Sequence, residues 1–287
     1  MASHGLRTRY ASLLKRFVSS SKDFDILTTV AAGGAAKPCI LYVLDSSFNP
    51  PTLAHLRIAS SALLERLEPS SRLLLLLSTQ NADKAPKPAP FEDRLAMMEM
   101  FAQDLRSHLA STFTQPSSTF SLDQIPPIDI GVTKKPYFVD KAVAIENSGC
   151  YPTPLEQVHL TGYDTLIRIF NAKYYPPDHN LHPLSLLFSQ HRLRVTMRPS
   201  NEWGDQKEQE EFLTSIARGD RESEGGRREW AQKIQLTPGR SPGSPSVSST
   251  RAREASQSAI QDLDWLVPDN VRQFVLSKQP YSAKDSP

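Results

Sequence analysis

Only two cysteines, Cys39 and Cys150, occur in the chain. A disulfide framework and a cysteine-rich metal centre are excluded, and the pair reads as two buried thiols in a reducing compartment. Glycine is also scarce, 12 residues in 287. Neither a Gly-x-Gly-x-x-Gly turn nor a Walker A loop is spelled anywhere, so hydride transfer on a dinucleotide and P-loop hydrolysis lack their usual residues. No apolar run approaches the roughly 18 residues of a membrane span, and no secretory signal pattern opens the chain. Charge of one sign is missing too. The 33 Lys and Arg are interspersed with 31 Asp and Glu, leaving +2, so neither a nucleic acid nor a membrane surface is an expected partner.

What is present suits a globular core. Hydrophobic content of 39% is enough for one large core. Residues 6–18 place Leu6, Tyr10, Leu13, Leu14 and Phe17 on one helical face, with Arg7, Arg9, Lys15 and Arg16 elsewhere. That pattern fits a mitochondrial presequence or an amphipathic helix packed on the domain. The second is the simpler reading, with a cytoplasmic or nuclear location. Residues 1–36 are read as this helix and an Ala/Gly connector, 37–279 as a single α/β domain, and 280–287 as a tail. Within the domain, 219–229 is charged and reads as an exposed insertion, and the Pro-Gly-Ser stretch 237–246 as a flexible loop.

Short apolar runs alternate with helical periodicity. Ile40 to Leu44, Leu73 to Leu77, Ile128 to Ile130, Gln157 to Thr161, Leu193 to Met197 and Ile234 to Leu236 read as strands. Helical spacing recurs between most of them. For the leucine run, periodicity alone also permits a helix. Two-sided apolar strands joined by helices predict a doubly wound parallel sheet with helices on both faces. Ligands on such sheets bind beyond the carboxyl ends of the strands.

Three stretches fall there. Ser47-Phe48-Asn49-Pro50-Pro51-Thr52-Leu53-Ala54-His55 follows the first strand and opens a helix, whose free N–H groups form an anion site toward which a histidine one turn in can point. Gly162-Tyr163-Asp164 follows the Gln157 to Thr161 strand. Its glycine permits close approach of a nucleotide, and its acid either accepts from a ribose hydroxyl or caps a helix. Val247-Ser248-Ser249-Thr250-Arg251-Ala252-Arg253 places hydroxyls at a helix start and an arginine one turn later on the same face. Lys84, in the loop from Thr79 to Pro90, is a weak candidate for an acceptor phosphate.

The first and third stretches resemble the two signatures of the Rossmann-like nucleotidyltransferases, Gly-Ser/Thr-Phe-Asn/Asp-Pro-x-His/Thr-x-Gly-His and Ile-Ser-Ser-Thr-x-x-Arg. The Phe-Asn-Pro-Pro-Thr form and the Val-Pro-x-x-Val ending at Val267 to Val271 point to the nicotinamide mononucleotide adenylyltransferase branch. The resemblance implies adenylyl transfer from ATP to nicotinamide mononucleotide, giving NAD and pyrophosphate, with Mg²⁺ carried in on the triphosphate and no protein metal cage. It implies that His55 and Arg253 act in catalysis. Ser47, Phe48, Asn49, His55, Gly162, Asp164, Ser248, Ser249, Thr250 and Arg253 would contact ATP. Ser46 and Ala54 depart from the family, standing where glycine is usual. They keep open a nucleotide-binding regulator without turnover, beside a cytidylyl- or pantetheine-phosphate transferase. A class I aminoacyl-tRNA synthetase lacks its Lys-Met-Ser-Lys-Ser string here.

Overall fold

The computed structural model describes residues 2–30, 37–65, 70–80, 88–113, 125–198, 202–240 and 245–282. Its centre is a seven-stranded sheet. In chain order the strands are β1 (Phe24–Val30), β2 (Ile40–Asp45), β3 (Ser71–Ser78), β4 (Ile128–Thr133), β5 (Glu156–Gly162), β6 (Arg192–Thr196) and β7 (Ile234–Thr237). They lie side by side as β1-β4-β3-β2-β5-β6-β7, all parallel except β1, which runs antiparallel to β4. Chain order reverses on either side of β2. The crevice between the carboxyl ends of β2 and β5 is therefore the topological switch point where doubly wound folds bind ligands.

The leucine run settles as a strand because it has a neighbour on each side. Leu73 to Leu77 are hydrogen-bonded to β2 and β4 and almost wholly buried. Leu73, Leu75 and Leu77 face one layer, Leu74 and Leu76 the other. Burial of each is worth about 1.5–3 kcal/mol, which outweighs leucine's helix preference of under ~1 kcal/mol per residue.

The first layer holds α1 (Ala2–Ser19), α2 (Leu53–Glu65), α3 (Phe91–Phe113) and, near the C-terminus, α8 (Ser249–Ser258), α9 (Leu263–Leu266) and α10 (Asp269–Lys278). The opposite layer holds α4 (Phe138–Glu146), α5 (Tyr163–Ile169), α6 (Leu184–Gln190) and α7 (Gln206–Arg218). Helix α1 packs on α3 through Tyr10 and Phe17, both buried, and Tyr10 donates to Glu99. The α7 terminus is specified by a capping box between Asp205 and Glu208.

The fold differs from the sequence reading in several places. The segment 1–36 is not only helix and connector, because Phe24 to Val30 add an edge strand. Its burial barely alternates, so period-two patterning could not reveal it. Helix α6 likewise had no clear signal. The cysteines are not both buried: Cys39 is exposed and Cys150 partly so, and both are free. Residues 219–229 expose most of their charges yet are tied down. They form 3₁₀ turns at Glu222–Glu224 and from Arg228, Arg221 lies over the Phe212 ring at 5.4 Å, and Glu224 accepts the Leu181 N–H at 2.8 Å. In the 237–246 loop, residues 241–244 lie outside the described residues. Gly239 is pressed against Met197, where a Cβ would sit 1.9 Å from the carbonyl oxygen. No described helix is long and apolar enough to cross a membrane.

Candidate active site

Strand β2 delivers Asp45 at its end, paired with Lys141 of α4 at 2.5 Å, and the chain turns immediately afterwards. Phe48 occupies the left-handed region at φ 45°, a conformation that is strained for a bulky residue. Complete burial offsets that strain: the Phe48 ring packs against His55 at 5.5 Å and Phe101 at 6.3 Å. The ring therefore belongs to the core, and only the Phe48 backbone faces the turn. Ser47 is exposed, whereas Asn49 is 3% exposed.

The position of His55 follows from helix capping. Thr52 precedes α2, and His55 is three residues on, where a capping box ordinarily carries Glu or Gln. Its Nδ1 accepts the Thr52 backbone N–H at 3.0 Å and lies 2.8 Å from the Thr52 hydroxyl. A nitrogen that accepts cannot carry the proton, so neutral His55 holds its proton on Nε2. Nε2 is 2.9 Å from the Ser46 hydroxyl. Burial, reinforced by the Arg198 charge and opposed by Asp164, pushes the His55 pKa down to about 4. At neutral pH the group is an imidazole with one aimed N–H.

The second signature lands on the first. Ser248 is the N-cap of α8, accepting the Arg251 N–H at 3.2 Å. Ser249 donates to the Pro50 carbonyl at 2.8 Å, and Arg253 donates to the Asn49 carbonyl at 2.8 Å and to the Thr250 hydroxyl at 3.0 Å. Two stretches some two hundred residues apart thus form one surface, with guanidinium N–H groups left over for an anion. Arg253→Lys should weaken the binding of a polyphosphate anion about tenfold without unfolding the protein, because an ammonium cannot span both ties and still present a planar edge. Titration with inorganic triphosphate checks this, and unchanged affinity would return Arg253 to a structural role.

Gly162 and Asp164 lie across the crevice. Asp164 is not the cap of α5. Gly162 takes that position, and Asp164 pairs with Arg198 at 2.9 Å. A Cβ at residue 162 would meet the Asp164 carboxylate at 2.6 Å, so glycine leaves room for the carboxylate to fold back over the strand end, and any side chain there would displace it. Arg198 follows β6 and escaped sequence reasoning, since nothing local ties it to Asp164. The Thr52–His55 spacing is that of a capping box, but histidine in place of Glu or Gln concealed it from sequence reasoning too. Lys84 lies outside the described residues. A cleft of about 510 Å³ beside β1 and α4 contains no residue of either signature. Its Lys22 and Lys135 are paired with Asp25 and Asp23. Among the described residues no three His, Cys, Asp or Glu side chains converge as a protein-only cation site would need. Hydroxyls, a guanidinium and an imidazole N–H suit phosphate oxygens instead.

Residues 43–130 match the Cytidylyltransferase-like family. A Schizosaccharomyces pombe protein, provisionally named a nicotinamide mononucleotide adenylyltransferase, is 33% identical over 274 residues, 95% of this chain and 97% of that protein. The chain belongs to the nicotinamide mononucleotide adenylyltransferase family. Among solved structures, a Plasmodium falciparum nicotinic acid mononucleotide adenylyltransferase complexed with NaAD aligns with a TM-score of 0.53 at 12% identity, over 86% of this chain and 99% of that one. That likeness shows the shared nucleotidyltransferase fold. In this adenylyltransferase family member, both signature stretches and Gly162 border the switch-point crevice.

Proposed function

We propose that the protein transfers the adenylyl group of ATP to nicotinamide mononucleotide, forming NAD and releasing pyrophosphate. The observation that carries the reading is the junction of the two signatures, Arg253 and Ser249 on the carbonyls of Asn49 and Pro50, in a chain whose relative is of that family. An acceptor phosphate oxygen bonds to the α-phosphorus in line, the bond to the bridging oxygen breaks, and pyrophosphate departs with the electron pair. The protein contributes positioning and charge stabilisation.

In this reading Ser248, Ser249, Thr250 and Arg253 hold the β- and γ-phosphates, Gly162 admits the ribose and Asp164 accepts from it. The backbone of Ser47, Phe48 and Asn49 lines the turn, and His55 stabilises charge at the transferring phosphate. Mg²⁺ arrives with the triphosphate, which with water supplies most of its ligands. Lys84 is retained as a contact for the acceptor phosphate. The purified protein with ATP and Mg²⁺ should convert nicotinamide mononucleotide to NAD, outperforming small acceptors such as glycerol phosphate by orders of magnitude, because the site gains rate by seating two nucleotides. CTP should be the poorer donor. Turnover of CTP with a small phosphate would place the protein in another branch. ATP binding with no product from any acceptor would make it a regulator.

A further inference from the structure

The family's first signature opens with glycine, and this chain has Ser46 there. Three observations converge on its side chain. Its backbone is fixed at the end of β2 by the bond from Ser46 N–H to the Leu76 carbonyl at 3.2 Å. His55 Nε2 lies 2.9 Å from the Ser46 hydroxyl, and His55 is the hydroxyl's one partner among the described residues. The Thr52 N–H occupies Nδ1, so the proton is on Nε2 and the Ser46 oxygen accepts it. The hydroxyl hydrogen is then uncommitted, on a half-buried residue adjoining exposed Ser47 at the mouth of the turn.

We propose that Ser46 is the group that touches the transferring phosphate. The Ser46 O–H donates to a phosphate oxygen, and His55 acts behind it, polarising and orienting the hydroxyl through Nε2–H. The ordered chain is Thr52 N–H to His55 Nδ1, His55 Nε2–H to Ser46 Oγ, and Ser46 O–H to phosphate. Every link donates in one direction, and such chains strengthen each member. No proton is transferred: negative charge building on the phosphate oxygen is met by a hydroxyl whose oxygen is already a hydrogen-bond acceptor. Ser46 thereby becomes a catalytic residue and His55 a positioning residue. The inference rests on the adenylyl-transfer reading for its kinetic consequence, though not for the hydrogen-bond chain itself.

A double-mutant cycle with ATP and nicotinamide mononucleotide tests the consequence. Ser46→Ala and Ser46→Gly should each lower kcat by about 10²-fold, the cost of one donor, with a smaller change in the KM for ATP. His55→Ala should cost about as much in the native background but only a few-fold in Ser46→Ala, since the two act as a unit. If Ser46→Gly matches or exceeds the native rate, or if the His55→Ala penalty is undiminished without Ser46, His55 donates directly and the proposal is overturned. Imidazole ¹⁵N NMR needs no turnover. It should show His55 protonated on Nε2, and α,β-methylene ATP should shift that resonance in the native protein but not in Ser46→Ala. Protonation on Nδ1, or an equal shift in both proteins, overturns the relay even in a chain that converts nothing. A native protein without turnover but with this spectrum would sink the adenylyl-transfer reading alone.

Discussion

His55→Ala is expected to lower kcat for adenylyl transfer by about 10²-fold. The loss should appear in kcat more than in the KM for ATP, because charge on the phosphate oxygens grows in the transition state and the Ser46 hydroxyl that His55 orients toward them contributes most at that point. The same substitution removes a helix-cap acceptor, at a cost of about 1 kcal/mol. His55→Gln separates the two effects. Glutamine at this position is an ordinary capping-box residue and can accept the Thr52 N–H, so His55→Gln should melt close to the native protein while remaining impaired in kcat. Because the pKa is pushed down to about 4, imidazole ionisation should not shape the rate near neutrality, and the His55-dependent part of kcat/KM should stay level between about pH 5.5 and about pH 8. Stability has a defined sign. A folded pKa below the ordinary 6.5 means the unfolded chain binds the proton first as pH falls, so the His55 contribution is complete above the unfolded pKa and is lost toward pH 4. A His55→Ala enzyme with native kcat would remove the residue from the mechanism.

Asp129→Ala is expected to destabilise the fold by about 3–5 kcal/mol while leaving the signature turn chemically intact. Asp129 is 0% exposed in β4, where it accepts from Thr29 of β1 at 2.6 Å and from the Tyr151 hydroxyl at 2.9 Å, with Arg72 of β3 at 3.6 Å. Burial, with the adjoining carboxylate, raises the Tyr151 pKa well above its usual value, so Tyr151 stays a donor. Truncation strands a buried phenol, a threonine hydroxyl and a guanidinium that is only one-fifth exposed. Leaving such groups without an acceptor costs far more than an exposed ion pair contributes. Urea unfolding checks this. A loss below about 1 kcal/mol would show that water takes the place of the carboxylate and that the network does not secure the β1 edge.

These two residues also mark how far sequence reasoning reaches. The strands β2 to β7, the doubly wound architecture and the three ligand-facing stretches follow from local pattern: apolar runs of strand length, helical periodicity between them, and punctuation by proline, glycine and hydroxyl residues. His55 was legible because it stands one turn into the helix that follows β2, inside a signature stretch, and its hydrogen-bond partners Thr52 and Ser46 lie only three and nine positions away in the same strand-to-helix turn. Asp129 was not. It sits in a run read only as a short strand, and its partners Thr29, Arg72 and Tyr151 reach it from separate segments. Edge strand β1 stayed hidden because pairing on one side with a mostly half-exposed face leaves no alternation to read.

By itself the sequence determined the order of elements, because hydrophobic period is a property of consecutive residues, and the chemistry of each stretch, because capping and anion binding at a helix start are completed within one turn. Tertiary structure alone decided which stretches share a surface. Reversal of strand order around β2 sets Gly162 beside the first signature. The return of α8 places Arg253 on the Asn49 carbonyl, and β6 carries Arg198 to Asp164. Those contacts depend on how buried faces stack, and no spacing along the chain encodes them.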